Sequence, residues 1–347
     1  MENRLLFYKK SYIIVCDFYE KQEEVIHVQI VNLRDSNKKI SLLGGCGICL
    51  GHFDGVHMGH RALVEALKKM NDERKEKLPL GIMCVTTPPT KTLDKTPTPQ
   101  LSTLAQKLSL LRECGLDFAV LYDFPAIKSM SPDDFIRQVL IIDCNAKMLV
   151  CGFNYSFGAR GAGTPADLER YFATQPGRSL HVQPPVTMGR YTVSSSLVRT
   201  MLQDGHADDA TKLLGRPYSL KGRVETGKQL GRTLGLPTAN LAFSTDMLVP
   251  KYGVYAVTVR IGNRTFEGIC NVGVRPTTDN DSAEANCETF IFEFDGDLYG
   301  KEIEVFFLRH MREEKKFSTL ADLQAQIKSD IHTAKELIFP YLKDQMP

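Results

Sequence analysis

The sequence predicts an α/β domain with a parallel sheet, followed by an all-β barrel closed by a carboxyl-terminal helix. Three observations carry this. From about Val25 to Leu214, short apolar runs alternate with helical periodicity; at Gly215-Arg216-Pro217 the character changes to strand-dominated sequence; and Leu320, Leu323, Ile327, Ile331 and Leu337 then fall on one helical face. The expected division is an unassigned extension over residues 1–24, a first domain over 25–214 and a second over 215–347.

Element by element, Cys46 to Leu50 read as an apolar strand, and Ala62, Leu63, Ala66, Leu67 and Met70 repeat at helical spacing after it. Leu104, Leu108 and Leu111 form a second helical stripe ended by Gly115, and Phe118 to Tyr122 read as a strand. Ser131-Pro132-Asp133-Asp134 is a helix start, in which Ser131 caps, Pro132 suits the first turn and Asp134 completes a capping box. Met148 to Cys151 is the next strand, so that repeated strand-helix-strand units imply ligands at the strands' carboxyl ends. Beyond the break, Val254 to Ile261 alternates, Gly262-Asn263 is a hairpin turn and Thr265 to Val272 returns. Further strands are expected over Cys287 to Phe294 and Ile303 to Leu308.

With 347 residues, 43% hydrophobic and 24% charged, the composition is that of an ordinary globular protein, and a formal charge of +2 argues against bulk nucleic-acid binding. No apolar run approaches membrane-spanning length, and Ile13-Ile14-Val15-Cys16, interrupted by Asp17, is too short for a signal peptide. Nine cysteines, an odd number scattered through both halves, suit a reducing compartment, and the expected location is the cytoplasm. Cys46-Gly47-Ile48-Cys49 has redox spacing but lies inside a strand, and no second pair stands at zinc spacing; two buried core thiols are the better reading.

The densest signal is Leu50-Gly51-His52-Phe53-Asp54-Gly55-Val56-His57-Met58-Gly59-His60, where a strand hands over to a helix. Gly55 permits a tight turn, Gly59 lets backbone approach a ligand closely, and the helix start offers N–H groups to an anion. His57 and His60, three apart, face the same side and can hold triphosphate oxygens while charge builds on a leaving pyrophosphate. This run resembles the signature of nucleotidyltransferases with a His-x-Gly-His motif, in particular the amino-terminal module of the bifunctional riboflavin kinase/FMN adenylyltransferase family. That resemblance implies a Rossmann-like nucleotidyltransferase domain, with Gly51, Phe53, Asp54, Gly55 and Gly59 around ATP. Gly152-Phe153-Asn154-Tyr155-Ser156-Phe157-Gly158 and Ser194-Ser195-Ser196-Leu197-Val198-Arg199 resemble two further segments of that module. They imply that Asn154 contacts nucleotide and that Ser195, Ser196 and Arg199 hold phosphates. Three positions depart from the family: Thr87-Pro88-Pro89-Thr90 lacks a His common between two prolines, Leu197 replaces a frequent Arg, and Gly161 stands beside Arg160 where many members carry Arg.

In the second half, Gly222-Arg223-Val224-Glu225-Thr226-Gly227-Lys228 has Walker A spacing, but Gln229 stands where Mg²⁺ needs a hydroxyl and no parallel-sheet unit surrounds it. A glycine-rich flap over phosphates, with Gly222, Gly227 and Lys228, fits better. Together with Gly235-Leu236-Pro237-Thr238-Ala239-Asn240-Leu241 it resembles the glycine-rich segment and Pro-Thr-Ala-Asn motif of riboflavin kinases. In extended backbone Thr238 and Asn240 point the same way, two oxygen ligands suited to Mg²⁺, although the same pair alone also suits a plain turn.

Asn271 to Thr277, Asp297 to Gly300 and Arg312-Glu313-Glu314-Lys315-Lys316-Phe317 match further kinase segments, the last implying flavin binding by Arg312 and Phe317. Alternation along Cys287 to Phe294 puts Glu288 on the face of Phe290, Phe292 and Phe294; a carboxylate there is either functional or a strand-end side chain reaching water. The family's general base falls on Glu288.

The resemblance thus implies an enzyme of FAD biosynthesis that takes riboflavin to FMN and FMN to FAD, with ATP and Mg²⁺, and without a membrane or nucleic-acid partner. Two alternatives stay open at this level: a riboflavin kinase whose first module is a flavin- or nucleotide-binding regulator, and a protein that only stores or senses flavin.

Overall fold

The computed structural model describes residues 13–17, 44–85, 98–122, 127–226, 237–275 and 284–344. The chain divides into two compact units, Met1–Thr98 with Ser102–Val193, and Pro99–Leu101 with Ser194–Pro347.

The first unit runs β1 (Ile13–Asp17), β2 (Cys46–Leu50), α1 (Met58–Asp72), β3 (Leu80–Val85), α2 (Leu104–Glu113) and β4 (Phe118–Tyr122). A single turn, α3 (Pro132–Asp134), leads straight into a π-type helix over Phe135–Asp143, then come β5 (Ala146–Gly152), α4 (Pro165–Ala173) and β6 (Ser179–Gln183). A small exposed hairpin, β7 (Thr187–Met188) and β8 (Tyr191–Thr192), ends the unit.

The sheet order is β1-β4-β3-β2-β5-β6. Strands β2 to β6 are parallel, and β1, which the sequence reading left out of the alternation, pairs antiparallel to β4. One face buries Cys49, Val150 and Ile82 against Leu63, Val64 and Leu67 of α1 and Leu108 and Leu111 of α2. The other buries Ile48, Leu50 and Leu149 against Phe135, Val139 and Leu140 of the π-type helix and Leu168 and Phe172 of α4. Both faces are covered, as a parallel sheet requires.

The cap predicted at Ser131 is present, its hydroxyl accepting from the Asp134 N–H at 3.1 Å. At α2, Thr103 and Gln106 also exchange capping hydrogen bonds, at 3.2 and 3.1 Å. Cys46 and Cys49, three apart in β2, fall on opposite faces and are fully buried, with thiols donating to the carbonyls of Cys144 and Leu63. Burial pushes the Cys46 thiol up to about 12, so the pair is inert core.

The second unit opens with two helices, α5 (Ser195–Asp204) and α6 (Ala207–Leu214), each followed by a glycine in the left-handed region. Six strands follow: β9 (Tyr218–Arg223), β10 (Thr238–Ala242), β11 (Gly253–Ile261), β12 (Arg264–Arg275), β13 (Glu284–Ile291) and β14 (Glu302–Arg312). The closing helix is α7 (Leu320–Asp344). All pairings are antiparallel, in the order β10-β13-β12-β11-β14-β9, and the sheet curls until its edges meet where the Glu225 N–H donates to the Asn240 carbonyl at 2.9 Å. Tyr255, Val257, Cys287 and Phe307 fill the inside, with Tyr255 edge-on to Phe307. On the outside, Val254, Ala256, Ile269 and Leu308 pack against Ala334 and Ile338 of α7. The strand expected to reach Phe294 ends at Ile291, because Glu293 adopts φ 54 and turns the chain.

Candidate active sites

In the first unit, strand order reverses at β2: β3 lies on one side of it and β5 on the other. In a parallel sheet that reversal leaves a crevice at the carboxyl ends of the two strands, and the chain segments leaving them are Gly51–His60 and Phe153–Asn154. The turn after β2 is strained. Phe53 and Val56 have φ of 52° and 41°, Gly55 has 75°, and both non-glycine side chains are fully buried in the core. Left-handed backbone at a β-branched residue costs about 1–3 kcal/mol and persists only where surrounding packing fixes it. Asp54 is also fully buried, with its carboxylate 3.5 Å from the Ser102 hydroxyl, which in turn accepts from the Gly55 N–H at 3.2 Å.

His57 is the N-cap of α1, and its Nδ1 accepts from the His60 N–H at 3.3 Å. An accepting Nδ1 leaves the proton of the neutral ring on Nε2, so His57 presents a donor there. The two imidazoles stack with centroids 3.7 Å apart, and Phe53 lies 4.9 Å from His60. A Cβ on Gly59 would crowd the His57 ring at 3.0 Å. Burial, then the neighbouring His57, Lys107 and His52, hold the His60 pKa well below the ordinary histidine value, so His60 is neutral at pH 7. Its Nδ1 is buried and makes no hydrogen bond among the described residues.

Sequence reasoning missed Lys107 and Ser102. Lys107 is 5% exposed and donates to the His52 carbonyl at 3.0 Å; a lysine at the i+3 position from Leu104, inside an apolar stripe, was the available signal. Asn154 is exposed on the turn after β5. Ser195, Ser196 and Arg199 lie in the second unit on the first turns of α5, where Ser194 caps the Leu197 N–H at 3.2 Å and Arg199 donates to the Pro99 carbonyl at 2.7 Å.

The second cluster lies on the outer face of the barrel. Asn240 of β10 and Asn271 of β12 are both directly opposite Glu288 of β13, so three neighbouring strands present three polar side chains in one row. Asn286, 8% exposed, donates to the Asn240 Oδ1 at 3.1 Å and lies 3.4 Å from the Glu288 Oε1. Thr238 is two residues from Asn240 and shares its face, as does Phe290 with Glu288; Glu288 itself is exposed. Asn286 was also missed, although it stands two residues before Glu288 in the same strand.

Gly222 lies in β9, and the described part of the glycine-rich segment runs on to Thr226; Gly227 and Lys228 lie outside the described residues, as do residues 87–90. Arg312 is held by Asp330 of α7, with Nε and Nη2 at 3.0 and 2.7 Å from the carboxylate, and donates from Nη1 to the Glu313 carbonyl. Phe317 is half-buried in the segment that follows β14. Among the described residues, no group of three or more His, Cys, Asp or Glu side chains is placed to hold a metal ion.

Two family models match the chain: FAD synthetase over residues 12–197 and riboflavin kinase over residues 214–338. Among curated proteins, the bifunctional riboflavin kinase/FMN adenylyltransferase of Escherichia coli (strain K12) is 35% identical over 84% of this chain and 92% of its own. That of Bacillus subtilis (strain 168) is 33% identical over 82% and 89%. A solved structure titled as a macrolide-efflux protein from Streptococcus pneumoniae has a TM-score of 0.76 at 32% identity, covering 84% of this chain and 93% of that one. No helix among the described residues here is long and apolar enough to cross a membrane.

Proposed function

The chain belongs to the bifunctional riboflavin kinase/FMN adenylyltransferase family, and from that premise we propose how its residues divide the two reactions. The enzyme phosphorylates riboflavin to FMN and adenylylates FMN to FAD; the presence of both family matches favours this over a kinase with a regulatory first module. A protein that only stores or senses flavin has no need of a base.

For adenylylation, ATP lies over the turn after β2, with Gly51, Phe53, Asp54 and Gly55 shaping its seat and Gly59 admitting the triphosphate to the start of α1. An FMN phosphate oxygen attacks the α-phosphorus, a new P–O bond forms, and the bond to the β-phosphate oxygen breaks to release pyrophosphate. His57 Nε2–H and the His60 ring supply hydrogen bonds that strengthen as charge moves onto that leaving group. Asn154 contacts nucleotide, and Ser195, Ser196 and Arg199 hold phosphates. No enzyme nucleophile is needed, because FMN brings its own.

For phosphorylation, Glu288 takes the proton of the riboflavin 5′-hydroxyl as that oxygen attacks the ATP γ-phosphorus and ADP leaves. Gly222, Gly227 and Lys228 form a flap over the phosphates. Thr238 and Asn240 fit Mg²⁺: both offer neutral oxygens from one face, and the amide hydrogen bond from Asn286 fixes the side on which the Asn240 oxygen lies. Bound there, the ion would neutralise phosphate charge. Phe317 contacts the flavin, and Arg312 supports that segment from its pair with Asp330. Free, largely buried thiols suit the cytoplasm.

The observation that carries this reading is the register that sets Asn240 and Asn271 beside Glu288. Incubation with riboflavin, ATP and Mg²⁺, followed by separation of FMN from FAD, tests it in wild type, Glu288→Gln and His60→Ala. Loss of FMN formation in the first variant, and of FAD formation alone in the second, is expected. FMN formation at the wild-type rate in Glu288→Gln would overturn the kinase assignment.

A further inference from the structure

Three consecutive side chains, Arg312 at the end of β14 and Glu313 and Glu314 just past it, are each held by a different segment. Arg312 is clamped by Asp330 of α7, Glu313 pairs with Lys251 at 2.7 Å, and Glu314 accepts from the Asn271 Nδ2 at 2.9 Å. The third contact has a built seat. Gly273 lies two residues beyond Asn271 on the same face, and a Cβ there would run into the Glu314 carboxylate, so the missing side chain is the space that the carboxylate occupies. Asn271 is directly opposite Glu288, and Gly273 is directly opposite Asn286. Glu314 therefore rests on the row of polar residues that contains the proposed base, although it comes from a different part of the chain.

An exposed ion pair fixes little, because two long side chains give up entropy for a screened attraction. A carboxylate seated over a glycine and held by a short amide side chain is a different case, since the donor has few rotamers to lose and both it and the seat are carried on a strand paired on both sides. We infer that Glu314 is a positioning residue of the kinase site, seated on Gly273 and Asn271 so that residues 313–319, with Phe317, form a fixed wall for the planar ring of the flavin. Preorganising that wall removes part of the ordering cost of binding the ring and leaves the phosphates untouched. The inference rests on Glu288 being the kinase base.

The test uses the full chain and separate titrations of riboflavin and ATP. Glu314→Ala should raise the riboflavin KM about tenfold, the size expected for a lost hydrogen bond to a charged group, with a smaller change in kcat and in the ATP KM. Glu314→Gln keeps an oxygen for the Asn271 amide and should return the riboflavin KM close to wild type. Gly273→Ala should reproduce the Glu314→Ala profile by filling the seat; Glu314→Ala, at an exposed position, decides the matter if that variant does not fold. A riboflavin KM in Glu314→Ala within about twofold of wild type would overturn the inference, as would equal rises in the riboflavin and ATP KM values. Glu288→Gln assayed alongside separates the two readings. If it keeps phosphorylation, the site itself is misassigned; if it loses phosphorylation while Glu314→Ala keeps its riboflavin KM, only the role of Glu314 falls.

Discussion

In the proposed mechanism His57 has two roles, a helix cap and a donor to the leaving group, that can be separated by substitution. Its Nδ1 caps α1 and its Nε2 is left to donate, so His57→Asn and His57→Ala separate the two roles: asparagine is among the best capping side chains and alanine cannot cap. Both lose the ring and its stack on His60. The cap contributes about 1 kcal/mol, which in a unit of this size corresponds to about 2–4 °C in Tm. Loss of one preorganised donor to a leaving group costs about 10²–10³ in rate, or roughly 2.7–4 kcal/mol of transition-state stabilisation. His57→Asn and His57→Ala should therefore show the same deep loss of FAD formation from FMN, while only His57→Ala carries the extra drop in Tm. Product separation after incubation with FMN, ATP and Mg²⁺ gives the first quantity, and thermal unfolding of the same preparations gives the second. FAD formation by His57→Asn at the wild-type rate would refute the catalytic assignment. Equal Tm values for the two variants would refute the cap.

Other outcomes follow from the same geometry. His60 is held neutral in the folded state, so the unfolded chain binds more protons below its ordinary pKa; stability is complete above about pH 6.5 and declines as pH falls, and His60→Asn should flatten that decline in unfolding curves between about pH 5 and 8. Glu288→Gln should lower riboflavin phosphorylation by about 10²–10⁴ while supplied FMN still becomes FAD, as timed product analysis would show. Asp330→Ala leaves the Arg312 guanidinium, whose side chain is 17% exposed, without its partner, a change of about 3–5 kcal/mol; Asp209→Ala, from an exposed pair with Lys212, should cost no more than about 1 kcal/mol, and equal Tm shifts would contradict the distinction. A fragment starting at Ser194 keeps α5 and α6 on the barrel and should make FMN but no FAD; one starting at Gly215 lacks the buried Leu213 and Leu214, and comparing the two by soluble yield and FMN output locates the functional boundary.

How much of this was legible in the sequence depends on how local each signal is. The Ser131 cap, the Gly262-Asn263 turn and the alternation of the Val254–Ile261 strand depend on a few neighbouring residues, and they could be read directly. Both histidines could be found because a glycine-spaced turn is a local feature. Lys107, Asn286 and the seat of Glu314 on Gly273 could not, because each depends on what another segment places opposite it. Lys107 meets His52 only after β2 and α2 are brought together, and Gly273 has meaning only once residue 314 lies over it. The strand ending at Ile291 illustrates the converse: alternation continued through Phe292 and Phe294, but the left-handed Glu293 ended the ladder.

The two sites differ as their nucleophiles differ. A phosphate oxygen of FMN is already ionised near pH 7, so adenylylation gains nothing from a base and most from donors aimed at the departing pyrophosphate. In the proposed mechanism the stacked pair at the helix start meets that need, since burial holds His60 neutral and spares it the mutual repulsion of two cations 3.7 Å apart. The riboflavin hydroxyl instead keeps its proton until it attacks, so phosphorylation calls for an acceptor. On the proposed reading an exposed carboxylate, flanked by the amides of Asn286 and Asn271, supplies that acceptor. On this reading the same co-substrate serves both steps, and the protonation state of the attacking oxygen decides which kind of side chain each unit presents.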